Sequence, residues 1–177
     1  IVFGDWSSDV CSSDLQSELP SFMMTMHPLV SKQEARNYIR RLSKFGVKFG
    51  QVLEGLRLRE QKGCLPPRFV IRRVLDEMTA FIAPPAEQNP LYTVFAEKLA
   101  KLKLNEGTRQ QLLNDAAAEI ERSVYPAYQQ LIDYFTALEG KASDEDGVWK
   151  LPEGDAYYAY CLRSNTTTDY TDRKSVV

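Results

Sequence analysis

An all-α fold follows from three features of the amino-acid sequence. Apolar residues recur at alternating steps of three and four over two long stretches, Tyr38 to Leu56 and Leu113 to Leu138, the spacing that lines one face of a helix. No convincing run alternates with the period of two that marks a strand. Helix start and stop residues bracket the periodic stretches. The expected architecture is an irregular helical bundle or lobe of about five to six helices, one of them long and kinked by proline.

The first helix opens at Ser31, whose hydroxyl, with Glu34 three positions on, forms a capping box. Its apolar face is Tyr38, Leu42, Phe45, Phe49, Val52 and Leu56. Gly46 and Gly50 weaken the middle, so either a bend or two abutting helices fits as well as one rod. Arg57, Arg59 and Lys62 suit the negative end of the helix dipole, and Gly63 can supply a left-handed cap. Pro66-Pro67 restarts the chain for a helix lined by Phe69, Val70, Val74, Met78 and Phe81. Ala83 to Pro90 reads as a loop, followed by a shorter helix with Leu91, Val94, Phe95, Leu99 and Leu102.

The longest element runs from about Thr108 to Leu138 with Leu113, Ala117, Ile120, Val124, Ala127, Leu131, Phe135 and Leu138 on one side. Pro126 inside it removes a backbone hydrogen bond, which predicts a kink. Gly140 ends it, and the polar, acidic stretch Lys141 to Gly147 is expected to be mobile. A compact element spans Val148 to Asp155, with Asp155 as the cap of a short helix carrying Tyr157, Tyr158, Tyr160 and Leu162. Thr166-Thr167-Thr168-Asp169 reads as the opening of another helix.

The two ends differ in kind. Ser12-Ser13-Asp14-Leu15 can be written TCT-TCC-GAT-CT, and its reverse complement, shifted by one frame, encodes Asp-Arg-Lys and begins a serine codon. That string stands at Asp172 to Ser175. Both ends therefore read as translated sequencing-library adaptor. The expected organisation is residues 1–15 adaptor-derived and disordered, 16–171 a helical lobe of a larger protein, and 172–177 adaptor-derived. A lobe cut in this way is expected to leave apolar faces uncovered and to pack loosely or aggregate.

The whole chain carries 22 basic and 24 acidic residues. Setting aside Arg173, Lys174, Asp5, Asp9, Asp14 and Asp172 leaves the two signs balanced. That gives no electrostatic reason to expect nucleic acid as a partner, and no apolar run is long enough for a membrane span. Oligomeric state is left open, and so is the redox state of the remaining Cys64 and Cys161, which lack metal-type spacing.

Chemistry is sparse. His27 is the single histidine, and neither His-Glu-x-x-His nor Cys-x-x-Cys occurs, so no catalytic residue and no metal ligand can be assigned. Arg36, Arg40, Arg41 and Lys44, and again Arg72-Arg73, read first as solvated helix flanks. Adjacent Tyr157 and Tyr158 point about 100° apart on a helix, so at most one can enter the core. With Arg163 and Thr167 they form a candidate substrate-cleft group able to donate to a peptide-like ligand. Local packing of the same tyrosines is the competing reading.

Four stretches taken together resemble a bacterial family known as domain of unknown function 885. They are Ala35-Arg36-Asn37-Tyr38-Ile39-Arg40-Arg41-Leu42, with its helix pair ending at Gly63-Cys64-Leu65-Pro66-Pro67; Asn89-Pro90-Leu91-Tyr92; Val124-Tyr125-Pro126-Ala127-Tyr128-Gln129-Gln130-Leu131; and Leu151-Pro152-Glu153-Gly154-Asp155-Ala156-Tyr157-Tyr158, leading to Thr166-Thr167-Thr168. The resemblance implies a longer, mostly helical protein, often exported or lipid-anchored, so a periplasmic or exported parent is expected. It also implies a distal half with His-Glu, Pro-Gly-His-His and Glu-Gly-Trp segments, hence a zinc-dependent peptidase-like hydrolase acting on a peptide-like substrate. None of those segments occurs here. The chain is accordingly expected to be an inactive wall of the substrate cleft, with a non-catalytic helical binding protein as the alternative.

Overall fold

The computed structural model describes residues 15–145 and 153–166. Of the proposed adaptor strings at 1–15 and 172–177, all but Leu15 lie outside the described residues, as do most of the Val148–Asp155 element and the helix expected after Thr166; Leu15, expected to be disordered, is the first residue of a helix. Among the described residues every regular element is helical, as the periodicity predicts.

The first described helix, which apolar periodicity does not predict, is α1 (Leu15–Ser21), running into a π-turn at Phe22–Met26. Pro20 lies inside α1 and cannot donate to the Gln16 carbonyl four residues back. That carbonyl instead accepts from the buried Tyr128 hydroxyl, which ties α1 to the far end of the chain.

Helix α2 (Lys32–Leu42) begins at the predicted cap: the Ser31 hydroxyl accepts from the Glu34 N–H at 3.3 Å. The reciprocal bond differs from the expected box, because the Glu34 carboxylate accepts from the Val30 N–H at 2.8 Å rather than from Ser31. A break at Ser43-Lys44 separates α2 from α3 (Phe45–Gln61). Two abutting helices are thus formed, but the break precedes Gly46 and Gly50, which both stay helical. Leu53 is buried where Val52 was expected, and Val52 packs at the edge. Gly63 has φ 73° and closes α3 in a Schellman arrangement, with Cys64 N–H donating to the Arg59 carbonyl at 2.9 Å and Gly63 N–H to Glu60 at 3.0 Å.

Helix α4 (Arg68–Ile82) buries Ile71, Val74 and Met78. Phe69, expected on that face, is 58 % exposed instead, because Ile71 takes the inward position one turn before Val74. The loop predicted next contains a short 3-10 turn, Ala86–Gln88, and ends at Asn89. Asn89 is fully buried; its carboxamide accepts from Leu91 N–H at 3.0 Å and donates to the Phe81 carbonyl at 2.9 Å, joining α4 to α5 (Pro90–Ala100).

The long element forms as α6 (Glu106–Glu119), a π-turn at Ile120–Val124 and α7 (Tyr125–Glu139). The irregularity expected from Pro126 therefore falls just before it, where Tyr125 N–H reaches back five residues to Ile120. Leu113 and Ala117 are only half-buried, and the inward residues are Leu112, Ala116, Ile120 and Val124. Three consecutive steps of four drift about 40° each around an α-helix. The wider π-turn slows the winding and brings the stripe back into register with Ala127, Leu131, Phe135 and Leu138.

This long helix is the spine. Its first half packs on α2 and α5, its second half on α3 and α4, and the π-turn meets both α2 and α3 where that pair breaks. Aromatic residues fill the junctions: Tyr38 stacks on Phe95 at 4.8 Å and donates to the Leu91 carbonyl at 2.9 Å, while Tyr128 meets Phe49 at 5.0 Å and Phe81 at 4.8 Å.

The Lys141–Gly147 stretch is corrected in its first half. Ser143 carbonyl accepts the otherwise unpaired Arg68 N–H at 2.9 Å, the Arg68 side chain holds Ala142 carbonyl and Asp144, and Lys141 pairs with Glu60 at 2.6 Å. Orphan donors at the start of α4 thus tie down a segment whose composition alone reads as mobile. The last described helix, α8 (Gly154–Thr166), follows Glu153, which adopts φ 57°. Asp155 sits within the first turn rather than capping it.

Candidate functional site

Helix α8 carries the predicted cleft residues. Tyr157 is buried and Tyr158 is 38 % exposed, the split that a 100° separation requires. Tyr157 lies outside the continuous apolar core, and its ring stands 6.5 Å from that of Tyr160, tilted by 34°. Arg163 is exposed; helix geometry puts it about 140° from Tyr158 but only about 60° from Tyr160. The face that α8 assembles is therefore Tyr157, Tyr160 and Arg163, with Tyr158 turned outward. Thr167 lies outside the described residues.

Two concavities were not anticipated. One, of about 240 Å³, lies between α1, α4 and α7, with Tyr128 and Phe81 in its lining, Met24 and Met78 beside them, and Gln16 at one end. No periodicity signals it, because α1 itself is not legible from the sequence. The other, of about 140 Å³, is a groove in which Lys32 and Arg36 of α2 face Thr108, Gln111 and Asp115 of α6. The remaining basic residues behave largely as solvated flanks. Arg72 pairs with Glu139 and Arg73 with Glu77, while Arg41 lies 5.5 Å over the Phe22 ring.

His27 packs a connection. It is buried; its Nδ1 accepts from Arg41 at 2.8 Å and its Nε2 donates to the Glu34 carbonyl at 3.1 Å. Arginine has only donors, so this pairing requires the neutral tautomer with the proton on Nε2. Burial lowers the His27 pKa first, Arg41 and Lys98 add to the lowering, and the bond to Glu34 opposes it. Both nitrogens are occupied, which leaves no lone pair for a metal. Glu119 is a buried carboxylate beside the π-turn, and it is satisfied locally by Ser123 and Arg122.

Among the described residues no three His, Cys, Asp or Glu side chains stand together so as to hold a metal ion. These residues do not fit a zinc centre. No described helix is long and apolar enough to cross a membrane.

Among solved structures, the chain is similar to the crystal structure of a protein from Colwellia psychrerythraea described as a candidate lipoprotein. The TM-score is 0.88 at 26% sequence identity, over 90% of this chain. The match covers 28% of the Colwellia protein, so this chain spans little more than a quarter of that length. No curated protein matches the sequence. The family described as bacterial protein of unknown function, DUF885, matches over residues 4–175. With nearly its whole length matched, the chain belongs to the DUF885 family of bacterial proteins.

Proposed function

We propose that this chain forms one helical lobe of a longer, zinc-dependent peptidase-like hydrolase, and that it supplies a wall of the substrate cleft rather than the reacting groups. The observation that carries the reading is the close match to 28% of a much longer protein. A lobe built to sit in a larger architecture need not hold the chemistry, and the described residues have no metal-binding group. The peptidase assignment itself rests on the sequence resemblance. No catalytic step is assigned to these residues.

In this reading α8 meets a peptide-like substrate through Tyr158, which the helix turns outward, while Arg163, about 140° away, lies on the face with Tyr160. Thr167, outside the described residues, is a proposed member of the cleft group. The parent is exported or periplasmic, in keeping with the description of the Colwellia protein as a lipoprotein.

The test uses the longer protein encoded by the source DNA. Tyr158→Ala should raise KM for a peptide substrate by about tenfold with kcat little changed, because a wall residue contributes binding and not bond-breaking. An unchanged KM would remove Tyr158 from the cleft. Peptide binding without any turnover by the longer protein would favour a non-catalytic helical binding protein.

A further inference from the structure

We infer that His27 is a proton-operated latch: a charged ring releases the strap formed by α1 and the π-turn while the rest of the bundle stays folded. Much of the polar grip on the strap is gathered at this one residue. Its Nδ1 accepts from Arg41 of α2 at 2.8 Å, its Nε2 donates to the Glu34 carbonyl at 3.1 Å, and its own carbonyl accepts from Lys98 of α5 at 3.0 Å. Arg41 reaches further and lies 5.5 Å over the Phe22 ring, so one guanidinium holds the strap at two points. The buried Met23, the packing of the π-turn on α5 and the Tyr128 bond to the Gln16 carbonyl add to the grip. A helix of seven residues with Pro20 inside it is too short to persist alone once released.

The chemistry of the Arg41 contact makes it one-way. A guanidinium has donors and no acceptor, so a proton on Nδ1 meets the Arg41 N–H head-on and the bond is lost. Two like charges are then in contact inside the protein, with the Lys98 ammonium as a third. The opposing charge is the Glu34 carboxylate, which already accepts from the Val30 N–H at 2.8 Å. Tyr38, whose ring stands 5.2 Å from that of His27, stays neutral: its hydroxyl donates to the Leu91 carbonyl and burial pushes its pKa up. Relief of the clash requires Arg41 to leave, and with it goes the contact to Phe22. Burial first, then Arg41 and Lys98, hold the closed ring below its ordinary 6.5. Release into water restores that value, so opening takes up a proton. The strap is therefore held above pH 6.5 and freed as pH falls from there through the closed-state value. Release uncovers Met23 and the side of Tyr38 that His27 covers. The latch needs neither turnover nor metal, so its failure leaves the hydrolase reading standing.

Amide hydrogen exchange on the full chain tests the latch, read as protection factors so that the intrinsic effect of pH cancels. Protection over α1 and the π-turn should fall roughly tenfold between pH 7 and pH 5, the response of an opening coupled to one proton. Because the opening is local and exposes little surface, low urea should leave strap protection unchanged at either pH, while protection in α7 falls with it. His27→Gln should remove the pH dependence of the strap. Arg41→Gln should shrink it, because a carboxamide oxygen can accept from the charged ring where a guanidinium cannot. Strap protection that is the same at pH 7 and pH 5 in the unaltered chain would overturn the latch without any variant. So would strap protection that follows α7 through the urea series, since the proton would then be taken up only on global unfolding. An undiminished fall in either variant would overturn it as well.

Discussion

His27 is neutral because of what surrounds it. Its Nδ1 must stay unprotonated to accept from Arg41, and Lys98, whose ammonium donates to the His27 carbonyl at 3.0 Å, adds a second positive charge nearby. With the folded pKa below the ordinary 6.5, the unfolded chain takes up a proton first as pH falls. The stabilising contribution is complete above pH 6.5 and is lost as pH drops from there through the folded value. Urea midpoints should therefore fall between pH 7 and pH 5, and His27→Gln should flatten this part of the profile. Equal slopes for the two proteins would contradict the neutral assignment. Asn89 gives a second test. Asn89→Ala leaves both the Leu91 N–H and the Phe81 carbonyl without their buried partner, and should cost about 2 kcal/mol in urea unfolding. A loss below about 0.5 kcal/mol would mean that those groups find other partners. At this scale Ser31 and Gly63 were legible, because a cap hydroxyl and a left-handed turn leave local marks in sequence. Asn89 read only as loop, since its second partner belongs to the preceding helix.

Helix α3 and the spine show what periodicity reveals and what it hides. Gly50 and Gly63 are chemically identical but should respond to alanine with opposite signs. Gly50 is inside a helix with open space around a would-be Cβ, so Gly50→Ala should stabilise by about 0.5–1 kcal/mol. Gly63 has φ 73°, so Gly63→Ala should destabilise by about 1 kcal/mol. Thermal melts of the two variants check both, and a shared sign would refute the assigned backbone. The three-four rhythm identified the long helix and its approximate limits. It missed the one-residue offset at Leu112 and Ala116, because a π-turn changes the winding without any signature residue of its own. Helix α1 was missed for a related reason: it is short, contains Pro20, and is held by the Tyr128 hydroxyl from across the molecule.

Among the described residues the long helix is a spine with two helix pairs laid along its halves, and the fold class could be read from apolar spacing alone. The candidate site could be read only in part. The outward turn of Tyr158 follows from adjacency on a helix, whereas the partnership of Tyr157 with Tyr160 and the α1–α4–α7 cleft depend on packing that no local pattern encodes. Val47 and Leu58 are exposed about three turns apart on one side of α3. The double substitution Val47→Lys with Leu58→Lys should reduce concentration-dependent self-association in sedimentation velocity; unchanged association would place the contact elsewhere. At this scale the proposal to test is that this lobe shapes a cleft while another part of the longer protein holds the metal. Zinc titration calorimetry on both proteins tests that most directly. A single tight equivalent should bind to the longer protein with no saturable heat from this chain, and stoichiometric zinc binding by this chain alone would overturn the proposal.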